Sequence, residues 1–181
     1  MIIPSHEAEK NAVLNAAYAM CAAARTAPKA CGIDHIETLV ISGDDIDKVA
    51  DAMVEISEQF NNYVFLRDSK SVRKSTAIVL IGVHEGVRGL GDFCRLCHFD
   101  DCAKMNEAGA CCVYDSMDLG IALGSATALA ADMRLDNRVM FTVGKAAVKL
   151  GLMGDIKLIM GIPLSAAGKN VFFDRDIMPD K

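Results

Sequence analysis

Val13, Ala17, Met20, Cys21 and Ala24 recur at the spacing of one helical face. Ser5 stands where it caps a helix starting near His6, and Glu7 and Glu9 suit that helix's positive end. Pro28 disfavours helix at the residue before it, so the helix is expected to stop near Arg25 to Thr26. Gly32 permits a turn, and His35 to Ile41 (HIETLVI) reads as a strand. Ile46, Val49, Ala50, Met53, Ile56 and Phe60 form the apolar stripe of a second helix. Residues 61–75 are polar and basic and predict a short strand and an exposed loop. Thr76 to Val83 (TAIVLIGV) is apolar on both faces, which predicts a central buried strand.

Further on, residues 116–133 (SMDLGIALGSATALAADM) are apolar almost all round, the pattern of a helix buried on most sides. Gly120 and Gly124, four apart, let another backbone come close on one face, either in a dimer or inside one subunit. Arg138 to Val143 predicts a strand, residues 144–152 a short helix, and Ile156 to Ile162 a last strand. The tail from Pro163 has no clear period. Helices and strands interleave without a repeat or linker, so residues 1–181 are expected to form a single domain with layers of both.

Composition narrows the partners. The chain has 181 residues, 52% of them apolar, enough for a continuous core. A net charge of −5 argues against a sequence-independent grip on nucleic-acid backbone. The absence of Trp argues against a base-stacking platform. The first residues lack the basic start and apolar run of a secretory signal, and no stretch is long enough for a membrane span. A cytoplasmic protein is expected, where disulfides rarely persist.

Five of the seven cysteines fall between Cys94 and Cys112. Disulfide knot, metal or iron–sulfur site, and small core residues are the competing readings. Cys94 and Cys97 are spaced so that two thiolates reach one centre from a tight turn, Cys102 follows, and Cys111 or Cys112 completes four donors. Iron–sulfur clusters are typically held by four thiolates. Structural zinc usually shows two short paired motifs, and here there is one. Core packing suits Cys21 and Cys31 better than five thiols in a polar segment.

The segments at residues 112–152 (CVYDSMDLGIALGSATALAADMRLDNRVMFTVGKAAVKLGL), 159–175 (IMGIPLSAAGKNVFFDR) and 24–45 (ARTAPKACGIDHIETLVISGDD) resemble bacterial and archaeal proteins described as uncharacterised proteins containing a ferredoxin domain. The similarity runs over nearly the whole chain. It implies an iron–sulfur segment at about residues 91–114 with a CGxCG…C pattern, a tentative 4Fe-4S cluster, and Cys94, Cys97, Cys102 and Cys112 as metal ligands. Arg95 and His98 stand where that family usually has glycine.

The remainder more distantly resembles the FMN-dependent nitroreductase fold. It shares the Ala27–Pro28–Gly32 turn, the Asp118 to Ala122 helix start and the Gly161 to Pro163 strand end. That resemblance implies an α+β fold, with a mixed, mostly antiparallel sheet flanked by helices and a small cysteine-rich ferredoxin-type insert. It further implies a homodimer with FMN at the interface and an unknown redox partner. The Arg-rich phosphate motif of nitroreductases is replaced by acidic IIPSHEAEKN. Candidate flavin contacts are therefore Arg25, Thr26, Pro28 and Lys29 at the turn and Gly144 and Lys145 at a helix start, with Lys169 and Arg175 as further cations. No acid–base or nucleophile set stands out among His6, His35, His84 and His98. Electron transfer or reductase activity on an unknown substrate is one expectation; a zinc-binding or cofactor-free assembly protein is the alternative.

Overall fold

The computed structural model describes residues 1–173. The elements run α1 (Ser5–Thr26), β1 (Ile36–Ser42), α2 (Asp45–Phe60), α3 (Tyr63–Val72), β2 (Ala77–Val83), α4 (Gly91–Cys94), α5 (Cys102–Glu107), α6 (Val113–Asp132), β3 (Asp136–Asn137), α7 (Phe141–Lys149) and β4 (Leu158–Ser165). The four strands lie in the order β1-β2-β4-β3, and every pairing is antiparallel.

Strand β2 is buried along its whole length. Successive side chains point to opposite faces. Ile78 and Leu80 join a core with α2, α3 and α7. Ala77, Val79, Ile81 and Val83 join a second core with α1 and α6. An apolar strand with helices on both faces is the expected consequence of the TAIVLIGV run. No helix among the described residues is long and apolar enough to cross a membrane.

Three elements differ from the sequence expectation. Residues 63–72 form helix α3 rather than a strand and loop. Asn62 caps it, its side-chain oxygen accepting from Val64 N at 3.1 Å. Its buried face includes Asp68 and Ser69 beside Phe65 and Val72, so polarity masked the helical period. Asp68 is satisfied by the Thr142 hydroxyl at 3.0 Å and Arg67 Nε at 3.0 Å.

Residues 138–143 do not form a strand. Met140 alone makes a bridge, to Gly161, and α7 begins at Phe141. Helix α7 lies hard against β4 because Gly144 has no side chain: a Cβ there would stand 1.7 Å from the Ile159 carbonyl oxygen. Strand β4 continues beyond Ile162 to Ser165.

Helix α6 is also not covered all round. Asp115, Asp118, Leu119, Ala122, Ala126 and Ala130 face inward. Met117 and Ile121 are exposed, and a Cβ at Gly120 or Gly124 would meet nothing within 4 Å. The glycine notch is therefore open in one chain, and burial inside the subunit does not account for it.

Candidate functional site

The cysteine segment leaves the sheet after β2 and returns to it at α6. Cys94 ends α4, Cys102 opens α5, and Cys112 is the N-cap of α6. Asp101 fixes the start of α5 by accepting from Lys104 N at 2.8 Å. Cys94, Cys97, Cys102 and Cys112 all line one small pocket. Arg88, Met105, Phe99 and Tyr114 complete much of its wall. Cys111 is exposed and lies outside that lining. All seven cysteines are free thiols. Among the described residues no three His, Cys, Asp or Glu side chains converge closely enough to hold a single ion.

The two residues that replace family glycines both have left-handed backbone, with φ of 46° at Arg95 and 64° at His98. The loop therefore keeps the shape that glycine would adopt freely, and the Cβ atoms make that shape costly. The Arg95 carbonyl accepts from His98 N at 3.0 Å and closes the turn between Cys94 and Cys97. Arg95→Gly and His98→Gly should each stabilise the apo protein by roughly 1 kcal/mol. Arg95→Gly forgoes only an exposed bond from Nε to the Asp92 carbonyl. Urea midpoints read the result; midpoints no higher than wild type would show that the loop is not strained at these positions.

Tyr114 is part of the pocket lining, with Cys94 as a neighbour. Burial, followed by the neighbouring Cys94, pushes this phenol above its usual range.

Beneath the pocket lies a buried charge network that sequence reasoning missed. Arg88, in the loop after β2, has NH1 2.9 Å from Asp115 Oδ1 and NH2 2.7 Å from Asp118 Oδ2. NH1 also lies 3.0 Å from His35 Nδ1 and 3.1 Å from the Gly86 carbonyl. His35 Nδ1 is also 3.4 Å from Asp115 Oδ1, so this ring nitrogen meets both the guanidinium and one of its carboxylates. Burial pulls the Arg88 pKa down, but the bonds to Asp118 and Asp115 outweigh it and hold it above the ordinary value. Asp118 Oδ1 accepts from Ala30 N at 2.9 Å, and Asp115 Oδ2 from Gly86 N at 3.1 Å. Gly86 must be glycine, because a Cβ would stand 2.1 Å from the His35 ring.

The residues expected at a flavin phosphate are engaged elsewhere. Arg25 pairs with Asp34 at 2.6 Å. Lys29 Nζ donates to the Ala24 carbonyl at 2.8 Å and to the Arg25 carbonyl, closing the end of α1. Thr26 Oγ1 donates back to the Ala22 carbonyl at 3.1 Å, and Pro28 is exposed beside it. Gly144 is buried against β4 within α7 rather than opening it, and Lys145 is exposed. These two groups of residues lie on opposite faces of the sheet: the turn follows α1, and α7 belongs to the other core. Lys169 follows β4, and Arg175 lies outside the described residues.

Comparison with known proteins places this geometry. The fold is shared with the BluB-like flavoprotein from Clostridium difficile 630, at TM-score 0.60 and 18% identity over 100% of this chain and 86% of that one. It is shared with a putative nitroreductase in complex with FMN from Desulfovibrio desulfuricans, at TM-score 0.58 and 18% identity over 86% of this chain and 75% of that one. It is shared too with the nitroreductase CinD from Lactococcus lactis in complex with chloramphenicol, at TM-score 0.56 and 17% identity over 95% and 89% of the two chains. At these identities the likeness establishes the fold alone. Residues 108–175 match the family model described as "Uncharacterized protein containing a ferredoxin domain". A protein of Archaeoglobus fulgidus, described as "Uncharacterized protein", is 41% identical over 97% of this chain and 98% of its own length. On that identity and coverage, the chain belongs to the family of proteins containing a ferredoxin domain.

Proposed function

We propose that the chain is a redox protein that holds a 4Fe-4S cluster on Cys94, Cys97, Cys102 and Cys112. The observation that carries this reading is that four cysteines from three separate segments line one pocket while Cys111 does not. A tetrahedral zinc ion needs four donors about 2.3 Å from a single point. A structural zinc site also usually shows two short paired motifs, and this chain has one, so a polynuclear cluster suits the four cysteines better. Cys112 stands at the N-cap of a 20-residue helix, which fixes its place in the wall.

When bound, such a cluster supplies one-electron transfer. The chain's own residues orient and shelter it. The turn over Arg95 and His98 sets two thiols on one side, and α6 presents the fourth. Phe99 and Met105 supply apolar wall that limits water.

FMN enters through solved proteins of the same fold. Arg25 and Lys29, the cations of the turn assigned to its phosphate, are paired with Asp34 and with carbonyls of α1. In this arrangement these two cations do not fit a phosphate.

The reading is tested by metal and sulfide analysis with an absorption spectrum of anaerobically purified protein. About four iron and four sulfide per chain are expected. A colourless protein, or one carrying zinc alone, overturns the reading in favour of an assembly protein.

A homodimer through the outward face of α6 is part of the proposal. Met117 and Ile121 are 47% and 45% exposed there, flanking the Gly120–Gly124 notch. Gly124→Glu should convert a dimer to a monomer in sedimentation velocity while leaving the fold intact, because a side chain at Gly124 meets nothing within one subunit. A dimer unchanged by this substitution would place the interface elsewhere.

A further inference from the structure

Arg88 is a wall residue of the cysteine pocket, and its side chain is 1% exposed. Its two terminal nitrogens are occupied by Asp115, Asp118, His35 and the Gly86 carbonyl. Its Nε has no hydrogen-bond partner, and it is the one buried side-chain nitrogen or oxygen so left among the described residues. A buried donor without an acceptor is costly. Arg88 cannot swing to find one, because both carboxylates hold the guanidinium from α6. Cys112 caps that same helix, so the guanidinium and a proposed ligand are fixed in one frame.

We propose that the Arg88 Nε–H donates a hydrogen bond to a sulfur of the cluster or of its ligating cysteines, and that Arg88 thereby sets the cluster's reduction potential. This inference rests on the cluster reading above. Adding one electron makes the sulfurs more negative, so an N–H donor stabilises the reduced form more than the oxidised form and raises the potential. The positive charge of Arg88 is already offset by Asp115 and Asp118, so the hydrogen bond carries the effect. Arg88 is a positioning residue in this role.

The test compares wild type with Arg88→Lys in a dithionite titration with redox mediators, followed by electron paramagnetic resonance. Lysine keeps a cation for the two carboxylates and lacks the Nε–H. Equal iron per chain with a lower midpoint potential is expected in the variant. Equal iron with an unchanged or higher midpoint overturns the inference and leaves the cluster reading standing. An iron-free wild type overturns both. Should Arg88→Lys fail to assemble, the question passes to Arg95→Gly protein carrying ¹⁵N-labelled arginine, which removes the other arginine of the pocket. A hyperfine coupling from arginine nitrogen to the reduced cluster is expected; its absence overturns the inference.

Discussion

Cys97→Ser should strip the protein of its iron, from about four atoms per chain to fewer than one, with loss of the visible absorbance. Cys97 sits in the tight turn between α4 and α5, and its thiol lines the same pocket as Cys94, Cys102 and Cys112. A serine hydroxyl is a hard, weakly acidic donor and a poor substitute for thiolate on iron. Cys112→Ser gives a cleaner version of the same experiment. Cys112 is the N-cap of α6, and serine is among the best N-caps, so the helix should hold while the donor is lost. Unchanged apo stability together with lost iron would separate ligation from folding. Cys111→Ser, at an exposed position outside the pocket, should retain full iron. Iron that survives Cys112→Ser and disappears in Cys111→Ser would exchange the fourth ligand.

The contrast between these cysteines and Arg88 shows where a sequence is readable. Cys94, Cys97 and Cys102 lie close along the chain, and the structure sets all three in the lining of one pocket. Helices α1 and α2 and strands β1 and β2 were likewise legible, because each carries an unmixed apolar period. Helix α3 was hidden because two of its buried positions are Asp68 and Ser69, whose partners include Thr142 far along the chain. The start of α7 was hidden because VMFTV has the composition of a strand, while only Met140 finds a ladder partner.

Arg88 gave no local signal at all. It stands in a glycine-rich loop, and its acceptors lie 27 and 30 residues later. The legible clue was on α6. Asp115 and Asp118 are three residues apart on a helix that is otherwise apolar and small on its inward face. Two carboxylates on a buried stripe require a buried cation. Arg88, in a loop that must pass that helix between β2 and the cysteine segment, is the residue that meets the requirement.

Arg88→Ala should therefore be severely destabilising, by about 3–5 kcal/mol, because it leaves two carboxylates buried without their cation. For a chain of this size that corresponds to a fall in Tm of roughly 10 °C. The measurement belongs on apo protein, so that loss of metal does not enter. The cost is not confined to the ion pair. Asp118 also receives the Ala30 amide, and Asp115 the Gly86 amide. Hydration or repulsion of the freed carboxylates would loosen the turn after α1 and the loop after β2 together. Charge balance can be restored without restoring the contact. Arg88→Met combined with Asp115→Asn and Asp118→Asn removes every buried charge of the trio, and amide oxygens can still accept from Ala30 and Gly86. Replacing a buried ionic group by neutral groups of similar volume is often near neutral, so the triple variant should recover most of the loss. A triple variant as unstable as Arg88→Ala would mean that the shape of the guanidinium, rather than its charge, holds these loops against α6.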